Sequence, residues 1–137
     1  MLTLKDLKKM QDIEAVAYPE FMQIIVNCKN IKELADYCEC KTSQLYLLLE
    51  DNCYLLAAIK SKSVEVVDFA STDGCKNIFK VIHKCFNAFK GKKVYMDCRE
   101  STSYPIVHKI LERKGIEYTC SSWDWNGETM YEISFQL

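Results

Sequence analysis

Two carboxylates in one short apolar segment could act as a chemical base. The segment SVEVVDFAS holds Glu65 and Asp68 among residues typical of a strand. Side chains of a strand alternate between its two faces, which places Asp68 on one face with Ala70 and Glu65 on the other. Only one of the two carboxylates is then expected to reach a given cleft. We favour Asp68, which lies nearer the polar turn that follows; a solvated or paired surface carboxylate is the alternative.

That polar turn leads into a helix and is a candidate anion site. Residues Thr72 to Gly74 separate the apolar strand from the amphipathic stretch Cys75 to Phe89. The free backbone N–H groups and the dipole at a helix start favour anions such as phosphate. Lys76 and Lys80 lie in the first turns of this helix, within reach of a phosphate. With Lys84 they could equally form an exposed, solvated helix face.

A second dense polar cluster, DCRESTSY, runs from Asp97 to Tyr104, just past a predicted strand. Open α/β-type sheets present ligand-binding groups at this position. Arg99 could hold a carboxylate or phosphate and Glu100 an amine, while Ser103 and its neighbours supply neutral donors. Helix capping and a surface ion pair would use the same residues. We favour the binding role, since these polar groups exceed what a cap requires.

The cysteines and histidines do not form a recognisable metal site. Cys38 and Cys40 make a single C-x-C pair without a second pair at metal-ligand spacing, and His83 and His108 lie on separate predicted helices. A chain of 137 residues can bury a sufficient core without disulfides. We therefore expect reduced thiols and no metal, with Cys75 at a helix start the one thiol placed for reactivity.

Length and composition predict one compact domain over residues 1–137. Hydrophobic residues make up 49% and charged residues 27%, which argues against a disordered chain. The formal net charge of −1 gives no reason to expect nucleic acid or an anionic membrane as partner. The apolar runs are too short to span a bilayer, and the N-terminus lacks the pattern of a secretory signal. These features predict a cytoplasmic protein.

Hydrophobic periodicity predicts an α+β domain. Helical spacing indicates four regions: Leu2–Ala17, Phe21–Cys38 with a break near Asn30, Cys75–Phe89 and Tyr104–Lys114. Short apolar runs indicate six strands: Leu45–Leu49, Cys53–Ile59, Val64–Ala70, Val94–Cys98, Glu117–Trp123 and Thr129–Phe135. Tight turns between the first three strands favour an antiparallel meander. The pair Asn126-Gly127 is typical of a hairpin between the last two.

This order of elements resembles the GCN5-related N-acetyltransferase (GNAT) superfamily over nearly the whole chain. Two local sequences are also similar to family features: IEAVAYPE, Ile13 to Glu20, at the end of the first helix, and KILERKGI, Lys109 to Ile116, before the final hairpin. The resemblance implies a mixed, mostly antiparallel central sheet flanked by helices. It also implies acetyl-CoA as cofactor, with the pyrophosphate at the helix after the meander, and an amine-bearing substrate.

The resemblance places the pyrophosphate at the end of the third strand and the following turn. The residues that it implies as contacts are Ala70, Ser71, Gly74, Cys75, Lys76, Asn77 and Lys80. This sequence has Asn77 and Phe79 where the family usually has small residues, so the motif is degenerate. The family often uses a tyrosine to protonate the leaving thiolate. That position is Leu111 here, and the role is then lost or moved to Tyr104.

Two functions follow from these observations. The first is an acyl-CoA-dependent N-acyltransferase, acetyl being the expected group, which acts on an amine of a small molecule, a protein or a modified nucleotide with Asp68 or Glu65 as base. The second is a non-catalytic binding or regulatory module that has lost acetyl-CoA. A Phe79 side chain in the groove between the fourth and fifth strand positions of the family would exclude the first.

The final hairpin raises the question of a protein partner. Alternation places Trp123 and Trp125 on the same face of the strand. Packing in the core is the default for two such rings. An exposed aromatic patch that docks a second subunit, as in a homodimer, is the alternative.

Overall fold

The structure, a computed structural model, describes residues 2–17, 25–72 and 78–137, with Ile78 described by its backbone alone. Within these ranges four α-helices form: α1 (Leu4–Ala17), α2 (Ile31–Tyr37), α3 (Ile78–Ala88) and α4 (Ser103–Arg113). The strands are β1 (Leu45–Leu49), β2 (Cys53–Ile59), β3 (Ser63–Ser71), β4 (Lys93–Arg99), β5 (Tyr118–Trp125) and β6 (Glu128–Gln136). None of these helices combines the length and the hydrophobicity needed to cross a bilayer.

The predicted α+β class with a mostly antiparallel sheet is confirmed. The six strands form one sheet in the order β1-β2-β3-β4-β6-β5. β3 and β4 are parallel and the other neighbours are antiparallel. Between residues 25 and 28 the structure has a 3₁₀ turn, Ile25–Asn27, in place of the helix end predicted there. The predicted start of α3 at Cys75 lies outside the described residues.

Helices cover more of one face of the sheet than of the other. On one face α3 and α4 pack on residues from all the central strands, including Leu55, Val94 and Ile133. On the other face α1 and α2 cover β1 to β3, where Tyr54 and Leu56 are fully buried. Each large side chain buried in this way contributes about 1.5–3 kcal/mol. No described helix covers that second face over β4, β6 and β5.

A β-bulge in β3 changes which side chains share a face. Leu56 of β2 lies opposite Asp68, but the next residue, Ala57, lies opposite Val66, so Val67 is the extra residue. As a result Val66 packs toward α3 and α4, while Ala70, which regular alternation would place on the same face, packs toward α1.

The bulge overturns the prediction that Glu65 and Asp68 lie on opposite faces. Glu65 lines a groove beside α2, and the Asp68 carboxyl bonds to Tyr54 in the α1 cluster. Strict alternation fails because a bulge inserts one residue and so reverses the faces of everything beyond it. Both carboxylates therefore face the side that α1 and α2 cover only in part.

Candidate functional site

β3 and β4 are paired over their first four positions and then separate. The parallel register joins Ser63–Val66 to Lys93–Met96. Beyond it, residues 67–71 pair with β2 and residues 97–99 pair with β6. The separated strands border a cleft of about 350 Å³, closed by the end of α2, the start of α4 and the β5–β6 hairpin.

Asp68 forms part of the cleft wall and is only 8% exposed. The Tyr54 hydroxyl donates to Asp68 Oδ2 at 2.7 Å. The Asp68 side chain is also hydrogen-bonded to Glu14. Burial raises the pKa of the Asp68 carboxyl; the Tyr54 donor lowers it, and the hydrogen bond and charge of Glu14 raise it again, with a net upward shift. Asp68 therefore retains its proton at a higher pH than an ordinary aspartate.

Glu14 supplies the other half of this buried carboxyl pair. It is fully buried at the end of α1, and its two oxygens accept from the backbone N–H groups of Ile25 at 3.1 Å and Val26 at 2.9 Å. Because both Glu14 oxygens already accept hydrogen bonds and the pKa of Asp68 is raised, Asp68 is the expected donor in the hydrogen bond between the two side chains. The pair thus links α1 and the turn at 25–27 to the cleft.

Glu65 lies in a second concavity on the same face. This open groove, of about 560 Å³, shares Tyr37, Val67 and Asp97 with the cleft, so the two concavities are continuous. Glu65 is exposed there, and its Oε2 lies 3.6 Å from the Lys60 ammonium. The two candidate bases are therefore neighbours on one face, but only Asp68 lines the cleft between the separated strands.

Two of the three predicted substrate-binding residues, Arg99 and Ser103, line the cleft. The Arg99 backbone N–H donates to the Ser103 hydroxyl at 2.8 Å, which fixes the start of α4 against the end of β4. The Arg99 Nε lies 3.7 Å from a carboxylate oxygen of Glu128. Glu100 is exposed outside the cleft lining and accepts from the Tyr131 hydroxyl at 3.1 Å.

The structure does not bring Tyr104 together with Asp68. Tyr104 packs on the α3 and α4 side of the sheet, with its ring centroid 4.3 Å from that of Tyr131. Its hydroxyl lies 2.9 Å from the Tyr118 hydroxyl, which also lies 2.5 Å from His108 Nδ1. Tyr104 is not among the residues that line the cleft.

The proposed pyrophosphate contacts are described only in part. Gly74, Cys75, Lys76 and Asn77 lie outside the described residues. Ala70 is buried opposite Tyr54, and Ser71 ends β3 opposite Cys53.

Two lysines of α3 share one acidic partner. Lys80 lies 3.7 Å from Glu50, and Lys84 is hydrogen-bonded to the same carboxylate. Hydrogen bonding from Lys84, with the charges of both lysines, lowers the pKa of Glu50. Phe79 is 39% exposed and is not among the residues that line the cleft, so the placement that would exclude acyl transfer is not observed.

Glu14 and Tyr54 were missed by reasoning from sequence. A signal exists for Glu14, because Leu7, Met10 and Glu14 follow one another at helical spacing on the buried stripe of α1. A carboxylate on such a stripe requires buried partners. Tyr54 gives no comparable signal, since it lies in an apolar strand where a buried tyrosine is ordinary.

Comparison with solved structures reveals the same architecture. The ribosomal-protein-S18-alanine N-acetyltransferase from Escherichia coli aligns with a TM-score of 0.65 over 97% of this chain and 88% of that one, at 9% identity. This chain has the GNAT fold. A protein from Bacteroides thetaiotaomicron assigned to the GNAT family of acetyltransferases aligns with a TM-score of 0.54 over 99% of this chain and 85% of that one, at 12% identity.

The GNAT fold confirms the resemblance inferred from the order of elements. No family model and no curated protein matches the sequence itself. Identities of 9% and 12% define a shared fold, and the chemistry must be argued from the residues of this chain.

Proposed function

We propose that this protein is an acyl-CoA-dependent N-acyltransferase that transfers an acetyl group to an amine. The observation that carries the proposal is the cleft between the separated ends of β3 and β4 in a GNAT fold, with Asp68 in its wall. Acyl transfer to an amine requires a base close to the acceptor nitrogen. The cleft offers that base beside a space open to small molecules.

The described residues are compatible with acetyl-CoA as cofactor. Beyond Val66 and Met96 the strands diverge, so an extended chain can lie between them and meet their backbone groups. Acetyl-CoA, when bound, supplies an acyl group activated as a thioester. Ala70 and Ser71 lead from the cleft to the proposed pyrophosphate contacts Gly74, Cys75, Lys76 and Asn77, and Lys80 adds a positive charge that Glu50 partly offsets.

Asp68 is the proposed general base. A carboxyl whose pKa is raised by burial is more basic than a surface carboxylate and so better suited to take a proton from an alkylammonium. Tyr54 and Glu14 fix its orientation. Glu65, in the adjoining groove, is the alternative base.

Acceptor binding is proposed for Arg99, Glu100 and Ser103. Arg99 and Ser103 line the cleft. Glu100, whose carboxylate accepts from the Tyr131 hydroxyl, would have to turn toward the cleft. Tyr104 is the proposed acid for the thiolate, with the Tyr118 hydroxyl as its hydrogen-bond partner. In this role Tyr104 would have to turn toward the cleft.

Isothermal titration of acetyl-CoA and free CoA into the reduced protein tests the proposal. We expect micromolar binding that Lys76→Ala weakens about tenfold, as expected for loss of a charge-assisted phosphate contact. Lys5→Ala, an exposed lysine of α1, is the matched control and should leave the affinity unchanged. No heat and no thermal shift at millimolar ligand would contradict the proposal.

A non-catalytic binding module is the second candidate function. Leu111 favours it, because the position that often holds the acid in the family is fully buried in the α3 and α4 core. Preserved CoA binding without turnover on any amine would select this candidate over the transferase.

A further inference from the structure

The groove next to the cleft carries an unusual concentration of negative charge. Its walls come from the end of α2, from β3 and from the uncovered face of β4 and β6. Four carboxylates from these separate elements line it: Glu39, Glu65, Asp97 and Glu132. The groove therefore combines concavity, charge and direct continuity with the proposed acyl-transfer cleft.

The strand register places two of these charges side by side. Asp97 of β4 and Glu132 of β6 are direct cross-strand partners. Like charges opposite each other destabilise a sheet. Burial raises the pKa of Asp97, the Trp123 hydrogen bond lowers it, and the charges of Glu132 and Glu65 raise it further. The sheet thus tolerates a repulsive arrangement at the point where the groove is open to solvent.

Few positive charges offset these carboxylates among the described residues. Lys60 lies 3.6 Å from Glu65 at one end of the groove. The Lys93 ammonium lies over the Tyr95 ring, 5.3 Å from its centroid. Neither lysine is paired with Asp97 or Glu132 in the observed ion pairs. Among the described residues, the groove lining holds four carboxylates and no lysine or arginine, so its charge is negative.

Two exposed tyrosine rings complete the groove. Tyr37 of α2 is 47% exposed and Tyr95 of β4 is 36% exposed, and both contribute to the lining. Aromatic faces attract ammonium groups and pack against methylene chains. The groove thus offers aromatic contacts beside its carboxylates, and the Lys93 ammonium already covers one face of the Tyr95 ring.

We propose that this groove selects, as acceptor, a small aliphatic amine with at least two positive charges, of the polyamine class. The inference rests on the proposed transferase function, which supplies the need for an amine. Its distal ammonium groups meet Glu39 and Glu132 while the reacting nitrogen enters the cleft beside Asp68. A volume of about 560 Å³ is in the range of small-molecule sites.

The transfer balances in atoms and protons. The carbon–sulfur bond of the thioester breaks and a carbon–nitrogen bond to the amine forms. The reacting ammonium loses two protons in total. One leaves through Asp68 to solvent, and the other ends on the sulfur of CoA.

Direct titration of spermidine into the protein without CoA tests the charge selectivity. We expect spermidine to bind at least about tenfold more tightly than n-butylamine, and binding to weaken at higher ionic strength. The double variant Glu39→Gln with Glu132→Gln should weaken spermidine binding about tenfold or more. It leaves both candidate bases, Asp68 and Glu65, intact.

A matched control removes two charges elsewhere. Asp12→Asn with Glu117→Gln changes the same net charge at exposed positions outside the groove and should alter spermidine binding less than about twofold. Equal weakening in both double variants would overturn the proposal, because it would indicate non-specific attraction. Tighter binding of a peptide whose N-terminal ammonium is its only positive charge than of spermidine would overturn the proposal as well.

CoA titration and product analysis separate this inference from the proposed function. Acetylation of amines with a single positive charge, such as n-butylamine, at the rate seen with spermidine would overturn polyamine selectivity while the transferase function stands. The protein could instead bind spermidine, lose that binding in the groove variant, and bind no CoA. This result would refute the transferase function and the assignment of spermidine as acceptor, while it would support the charge selectivity of the groove.

Discussion

Two pairs of carboxyl groups, one on each side of the cleft and its adjoining groove, differ in burial and in hydrogen bonding. On the β3 side, Asp68 and Glu14 are buried, are hydrogen-bonded to each other, and bond to Tyr54 and to backbone amides. On the β4 and β6 side, Asp97 and Glu132 are exposed to solvent and repel each other. The first pair helps to hold the fold together, and the second costs stability.

This contrast separates carboxyl groups that the fold requires from carboxylates that it does not require. A buried carboxyl pair must satisfy every hydrogen bond, because an unpaired polar group in the core costs several kcal/mol. Exposed carboxylates can change at little cost to folding, so their arrangement is free to follow a ligand. Substitutions on the two sides should therefore affect stability very differently.

Glu14→Ala should have the largest effect on stability. It removes the acceptor for the Ile25 and Val26 amides and the hydrogen-bond partner of Asp68. We expect a loss of about 3–5 kcal/mol in the free energy of unfolding, measured by urea denaturation. Asp12→Ala on the exposed side of the same helix is the control and should cost no more than about 0.5 kcal/mol. Equal losses in the two variants would show that the buried network has no special role.

Tyr54→Phe should have the next largest effect. It keeps the buried ring and removes only the donor to Asp68 Oδ2. We expect a loss of about 1–2 kcal/mol in the free energy of unfolding. Since the Tyr54 donor lowers the pKa of Asp68, its removal should also shift that pKa further upward. Tyr37→Phe at an exposed ring is the control, and a comparable loss there would argue against the buried hydrogen bond as the cause.

Asp68→Asn should change the pH dependence of stability. Because burial raises the pKa of Asp68 above its ordinary value of 3.8, the folded state keeps a proton that the unfolded chain releases. Stability from this group is present at low pH and is lost as pH rises from the unfolded pKa through the folded one. Asparagine keeps a donor for Glu14 and an acceptor for Tyr54 but does not titrate.

Urea denaturation at about pH 5, 6.5 and 8 measures this difference. The wild type should lose stability with rising pH, by at most about 1.4 kcal/mol per pH unit for one proton, and the variant should lose less. Parallel curves for the two proteins would mean that Asp68 does not titrate between these pH values. In a working transferase the same variant should lower kcat about a hundredfold or more.

The local pattern of the sequence predicted the elements but not how they meet. Residue periodicity identified all six strands, because each strand is specified by its own apolar residues. The bulge at Val67 has no local signature, since Val66 and Val67 suit a regular strand equally well. Because this one extra residue was not predicted, Glu65 and Asp68 were predicted to lie on opposite faces, whereas they lie on the same face.

The acidic groove could not be predicted from the sequence, for a different reason. Asp97 and Glu132 become neighbours only because β6 lies between β4 and β5 in the sheet. Strand order is a property of the whole chain, and no short pattern encodes it.

The exposure of Trp123 and Trp125 was one of two alternatives that the sequence left open. The two residues are 39% and 41% exposed.

Trp123→Phe should have the smallest effect on stability and is the most specific test of the exposed side. The indole Nε1 donates to Asp97 Oδ1 at 3.3 Å in a solvent-exposed position, so its loss should change the free energy of unfolding by no more than about 0.5 kcal/mol. The donor lowers the pKa of Asp97, so the variant should titrate Asp97 at a higher pH, as measured by the carboxyl ¹³C shift in NMR. The titrations of the other carboxyls serve as internal controls. An unchanged Asp97 titration would mean that the indole does not stabilise the Asp97 charge in solution.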